Sequence, residues 1–130
     1  GEQLRPNLNI KDYCIAVDLL MNSEVKNIFN QIFNVGYENM SIIQIANLVR
    51  ETFKERYSKE IEIVRTETND NRSYHINSDK IKERLNFSPQ FTIKEAINSL
   101  LDAFEKNKVK NTFENDIYHN VKRMQNLDVK

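Results

Sequence analysis

The chain has 130 residues, enough for one domain with a modest core, and its 19 lysines and arginines balance 19 aspartates and glutamates. With no net charge, no field favours nucleic acid or an anionic membrane surface, and no apolar run is long enough to span a bilayer. One cysteine, Cys14, excludes an internal disulfide and with two histidines disfavours a zinc site, while two glycines leave no glycine-rich phosphate loop.

Residues 4–10 read as short and extended, with Pro6 suited to an edge or a position off the ladder. Asp12 suits the N-cap of a helix over residues 13–21. That helix carries Tyr13, Cys14, Ile15, Ala16, Val17, Leu19, Leu20 and Met21, apolar nearly all round. Such a helix asks for burial on more than one side, and so small a chain has little to cover it with. A partner layer is missing. Ile28-Phe29 then leads into Ile32-Phe33-Asn34-Val35-Gly36, a short apolar strand closed by glycine.

Ser41 with Gln44 forms a capping-box pattern, opening a helix whose stripe is Ile42, Ile45, Val49 and Phe53. The apolar and acidic alternation of Ile61-Glu62-Ile63-Val64 reads as a half-buried strand. Asn77-Ser78-Asp79-Lys80-Ile81 reads as a capped start to a short helix carrying Ile81 and Leu85. Thr92 with Glu95 forms a second capping box. It opens the strongest helix, with Ile93, Ala96, Ile97, Leu100, Leu101 and Phe104 at near-ideal spacing. From Glu105 the chain turns polar, with Tyr118 and Met124 as candidate anchors of a tail.

Between the second strand and the short helix lies Asp70-Asn71-Arg72-Ser73-Tyr74, with Lys80 just beyond. An arginine on such a turn can aim its planar donor fork outward, where it suits a phosphate or carboxylate. The competing account is a turn in which Arg72 pairs with Asp70.

The ordered set of short motifs resembles one family. Gly1-Glu2-Gln3-Leu4-Arg5, with Ile10 and Asp12 before an apolar helix, is similar to a segment of extended short-chain dehydrogenase/reductase enzymes, the NAD-dependent nucleotide-sugar epimerases and dehydratases. Phe33-Asn34-Val35-Gly36, followed by Ser41 and Ile45-Ala46, resembles the family's next segment. Asp70-x-Arg72-Ser73-Tyr74, Ser78-x-Lys80-Ile81, Leu85-x-Phe87-x-Pro89 and Thr92-Ile93-x-Glu95-Ala96 follow its C-terminal pattern in order. The resemblance covers most of residues 1–104, leaving 105–130 as a polar C-terminal tail of a single partial domain.

The resemblance implies a helix-rich α/β fold: the end of a Rossmann domain plus a small substrate-binding domain, without the NAD-binding half. The family's glycine-rich loop and its catalytic Ser/Thr and Tyr-x-x-x-Lys would lie upstream of Arg5. No catalytic residue, metal or cofactor is therefore expected on this chain, and NAD(P) is expected in a full-length parent. Tyr118-His119-Asn120-Val121-Lys122 has the Tyr-x-x-x-Lys spacing, but it stands in a polar tail with no cofactor loop. By resemblance, Arg72 contacts the diphosphate of a nucleotide sugar and Arg5 helps hold the nucleotide. Tyr74 packs beneath the loop or meets the nucleotide, while Asn34 and Gly36 shape the exit from their strand. Asn7, Asn9 and Asn69-Asp70-Asn71 depart from the commoner family pattern, which leaves base and sugar open.

The expected function is nucleotide-sugar binding within an epimerase or dehydratase of bacterial surface-polysaccharide biosynthesis, in a reducing cytoplasm. Its expected partners are a nucleotide diphosphate sugar, the missing N-terminal Rossmann half and further copies of itself. The alternative is a small non-catalytic α/β interaction module that binds a protein through residues 13–21. Nucleic-acid binding would rest on Lys106, Lys108, Lys110, Lys122 and Arg123, but these are interleaved with Glu105, Glu114 and Asp116 and read better as a solvated segment.

Overall fold

The computed structural model describes residues 1–67 and 72–127. Its regular elements are β1 (Leu4–Asn7), α1 (Ile10–Met21), α2 (Val25–Ile28), β2 (Glu38–Ser41), α3 (Ile42–Tyr57), α4 (Asp79–Leu85), α5 (Ile93–Glu105), a 3-10 turn (Asp116–Tyr118) and α6 (Asn120–Asn126). The fold is α/β and helix-rich, and among the described residues its sheet has two strands. The chain groups into two compact units, Gly1–Asn98 and Ser99–Lys130.

In the first unit β1 and β2 pair antiparallel, with Leu4 opposite Ser41, Arg5 opposite Met40, Pro6 opposite Asn39 and Asn7 opposite Glu38. Leu4 turns away from β2, donating its N–H to the Ser73 hydroxyl and accepting from the Tyr74 N–H, each at 3.0 Å. Strand alternation points the nitrogen of Pro6 the same way, so its missing donor costs the ladder nothing. Pro6 thus stands in the ladder where a proline is tolerated. Asn39 ties in the same neighbouring segment, its side chain donating to the Ile76 carbonyl and accepting from the Ile76 N–H, both at 3.1 Å.

The first helix starts earlier than its apolar run suggests. Asn9 is the cap, its Oδ1 accepting from the Lys11 N–H at 3.0 Å. Asp12 is not a cap. It sits in the first turn, 0% exposed, and its two carboxylate oxygens accept from the Gln90 and Phe91 N–H groups, each at 2.9 Å. Asparagine and aspartate cap about equally well, and the side chain that folding buries must find donors elsewhere.

Residues 32–36 and 61–64 carry strand-like patterns, yet neither segment forms a strand. Phe33 and Val35 pack instead on the core formed by Ala16, Ile81 and Phe87, together with Leu19 and Leu85. Ile61 and Ile63 are half-buried while Glu62 and Val64 face solvent. The alternation sets which side faces inward, but a strand also needs a neighbouring edge for its backbone groups, and neither segment has one in the ladder. So small a core leaves Tyr13, Ile15, Val17 and Met21 of α1 exposed, as the lack of covering layers implied.

Both capping boxes form. Ser41 Oγ accepts from the Gln44 N–H at 3.3 Å, and Gln44 Oε1 accepts from the Ser41 N–H at 2.8 Å. Glu95 accepts from the Thr92 N–H at 2.7 Å and from its hydroxyl at 2.8 Å. Those bonds, the backbone one first, hold the Glu95 carboxyl below its ordinary range. Glu38 adds a second carboxylate at the start of α5, accepting from the Ile93 N–H at 2.8 Å. Ser78 precedes α4 but makes no capping bond with its side chain; Asn77 Oδ1 accepts from the Asp79 N–H at 2.8 Å in its place.

In the second unit Asn107 and Asn111 take left-handed backbone angles, φ 51° and 53°, a conformation asparagine tolerates. Asn115 caps the 3-10 turn, and Asp116 accepts from the Asn126 amide at 2.8 Å and from Arg123 at 3.2 Å. Asp116 is consequently held below the ordinary carboxyl range, by Asn126 first and Arg123 second. Tyr118 and Met124, expected as anchors, are exposed. Polar bonds around Asp116, rather than buried apolar side chains, order this segment. Among the described residues no helix is long and apolar enough to cross a membrane.

Candidate functional site

Arg5 projects from β1, and the segment that carries Arg72 and Tyr74 is bonded alongside that strand through Leu4. Arg5 Nη1 donates to the Leu4 carbonyl at 2.9 Å and to the Arg72 carbonyl at 2.6 Å, across 67 positions of sequence. Its guanidinium carbon lies 5.3 Å from the centroid of the Tyr74 ring, and that of Arg72 lies 5.8 Å from the same centroid. Arg5, Arg72 and Tyr74 therefore meet at one place. Arg5 is half-buried, whereas Arg72 and Tyr74 are exposed.

Both guanidiniums are within the range at which an aromatic ring attracts a cation, about 0.5–1 kcal/mol each at an exposed site. Two like charges near one ring repel each other unless an anionic group stands between them. A planar guanidinium fork suits the oxygens of a phosphate or carboxylate. An open hollow of about 370 Å³ is lined by Gly1, Glu2, Gln3 and Ser73, neighbours in sequence of these segments. The pairing of Arg72 with Asp70 lies outside the described residues.

Lys80 is placed elsewhere. Its ammonium donates to the Ile32 carbonyl at 2.8 Å and lies 5.2 Å from the centroid of the Phe33 ring, where it ties α4 to the core-facing segment. Gly36 donates its N–H to Ser78 Oγ at 2.9 Å, and a Cβ on it would stand 2.5 Å from Ile76 Cδ1. The glycine is thus used for close packing and not as part of a phosphate cradle. With Gly1 the only other glycine, the chain has no glycine-rich phosphate loop. Tyr118 and Lys122 fall in different elements, the 3-10 turn and α6, so they do not share one helix face as a catalytic Tyr-x-x-x-Lys pair does.

A larger depression of about 720 Å³ is lined by Arg50, Glu51, Lys54, Glu60, Ile61, Glu62 and Ile63. Lys54 is bonded to Glu60 at 2.5 Å, which holds the Glu60 carboxyl below its ordinary range. Three carboxylates there face two cations, so it favours no anion. The arginine pair brings two cations to one ring, although neither arginine lines either hollow. Among the described residues no group of three or more histidine, cysteine, aspartate or glutamate side chains could hold a metal ion.

Sequence reasoning missed the anchoring role of Asp12 and the bridging role of Asn39. Nothing local marks either one, because each acts on backbone groups dozens of residues away. No protein-family model matches this chain, and no curated protein matches it.

Proposed function

We propose that this chain is the nucleotide-sugar binding region of an NAD-dependent epimerase or dehydratase of the extended short-chain dehydrogenase/reductase family. In this reading Arg5 and Arg72 grip the diphosphate of the nucleotide sugar and Tyr74 supports them. The parent enzyme oxidises a sugar hydroxyl to a ketone with NAD(P), then epimerises, dehydrates or reduces, in the cytoplasm and for surface-polysaccharide synthesis. Hydride chemistry belongs to the NAD-binding half, and these residues supply grip. The observation that supports the reading is the meeting of Arg5 and Arg72 on the ring of Tyr74. Saturation-transfer NMR of the chain with UDP, GDP, CDP and dTDP tests it. At least one nucleotide is expected to receive saturation and NAD none; no transfer to any nucleotide contradicts the reading.

The exposed apolar face of α1, with Tyr13, Val17 and Met21, favours a second reading, a protein-interaction module. In that case the nucleotides give no transfer, and Arg5 and Arg72 can be replaced without loss of partner binding.

A further inference from the structure

We propose that α1 pairs antiparallel with α1 of a second copy of this chain, through a seam of Ile10, Cys14, Val17 and Met21. These residues are spaced four, three and four apart, the alternation that keeps one line of side chains facing a partner helix. They lie on the side away from Asp12 and Ala16, which are buried, and all four are exposed, Ile10 by 70% and Met21 by 80%. Tyr13, also exposed, widens the seam on one flank. An open hollow of about 250 Å³ lined by Tyr13, Cys14, Val17, Asp18 and Met21 can seat an apolar side chain from the second copy.

The flanking charges select both the occupant and its direction. Lys11 and Asp18 are exposed on the other flank of the seam, one near each end. In an antiparallel pair like flanks meet, so Lys11 of each copy faces Asp18 of the other, twice over by symmetry. A parallel pair would set that flank against Tyr13 and Leu20, where no opposite charge waits. Antiparallel pairing also sets the positive N-terminal end of one helix beside the negative C-terminal end of the other. Within its own chain, Lys11 lies 4.9 Å from the centroid of the Phe91 ring, and one Asp18 oxygen accepts from the Asn22 amide at 3.2 Å. These contacts leave further donors on the ammonium and a second oxygen on the carboxylate. A helix of 12 residues offers about 18 Å of seam, which suits a weak, concentration-dependent pair.

Sedimentation velocity of the 130-residue chain across micromolar to millimolar concentration tests this, with Lys11→Glu, Asp18→Lys and the double variant alongside. Each single reversal replaces two attractions with two repulsions and is expected to weaken the dimer about fivefold to thirtyfold, and the double variant to recover most of it. Direction is read by oxidative cross-linking in a Cys14→Ser background. Residues 10 and 21 lie about 16 Å apart along the helix, so antiparallel copies bring them together only crosswise. Ile10→Cys and Met21→Cys together are therefore expected to link two chains, and either one alone to link none. This readout stands even where a charge reversal fails to fold. Dimers that ignore the charge reversals, or that either single cysteine variant cross-links, overturn the antiparallel seam. A strict monomer at millimolar concentration overturns it too and leaves the face to a different protein; none of these outcomes bears on nucleotide binding.

Discussion

Replacing Asp12 should damage the fold far more than removing a helix cap. Its carboxylate is 0% exposed and accepts the N–H groups of Gln90 and Phe91, each at 2.9 Å. A bond to a charged acceptor contributes about 1.5–3 kcal/mol, and a buried donor left without one costs about 1–3 kcal/mol. Asp12→Ala strands both donors, although water entering the vacated space satisfies part of the need. The expected loss is about 3–4 kcal/mol, a large share of the roughly 5–15 kcal/mol that holds a domain together. Asp12→Asn keeps one acceptor and should lose about 2 kcal/mol. Urea unfolding followed by circular dichroism measures the loss, and hydrogen exchange at the Gln90 and Phe91 amides locates it. If Asp12 were only a cap, the loss would be about 1 kcal/mol and exchange at those two amides would not change. That result would refute the anchoring role.

Gly36→Ala should destabilise by about 1–3 kcal/mol, because its new Cβ meets Ile76 Cδ1 at 2.5 Å; adding Ile76→Val, which deletes that methyl, should restore part of the loss in the same unfolding assay. An unchanged double mutant would mean the crowding lies elsewhere. The α6 segment should keep its structure above the ordinary aspartate pKa of about 3.9 and lose it as pH falls through the lowered value of folded Asp116. NMR secondary shifts over residues 120–126 follow this, and Asp116→Asn should abolish the acid transition; fraying between pH 5 and 7 would contradict it. The exposed Tyr13, Val17 and Met21 should drive self-association, seen by light scattering as a dimer or larger species and reduced by Val17→Glu. A strict monomer at high concentration would count against that.

The parts of this fold that could be read in the sequence are those decided within a few residues. Ser41 with Gln44 and Thr92 with Glu95 satisfy each other across three positions, so each pair marks a helix start. The segment at 61–64 was legible in which side chains turn inward, but neither it nor 32–36 was legible as non-strand, because pairing depends on an edge supplied from elsewhere. Asp12 and Asn9 could exchange roles on chemistry alone. Burial against residues 90–91 separates them, and burial is set by the tertiary fold. Tyr118 and Met124 looked like anchors because they are apolar or aromatic in a polar stretch, whereas the order there comes from Asp116, Arg123 and Asn126. Arg5, Arg72 and Tyr74 were named together through the family resemblance. Their meeting is a product of the bonds from Leu4 to residues 73 and 74, which no local pattern announces.

Whether Arg72 grips a diphosphate decides the function proposed for this chain. Titrating wild type, Arg72→Ala and Arg72→Lys with the best nucleoside diphosphate measures this directly. Loss of a charged hydrogen-bonding group worth about 1.5–3 kcal/mol predicts an affinity roughly tenfold to a hundredfold weaker for Arg72→Ala. Arg72→Lys should recover only part of it, since an ammonium lacks the planar fork. Unchanged affinity in Arg72→Ala, with a stability change under about 1 kcal/mol, would reduce Arg72 to a surface contact and contradict the account.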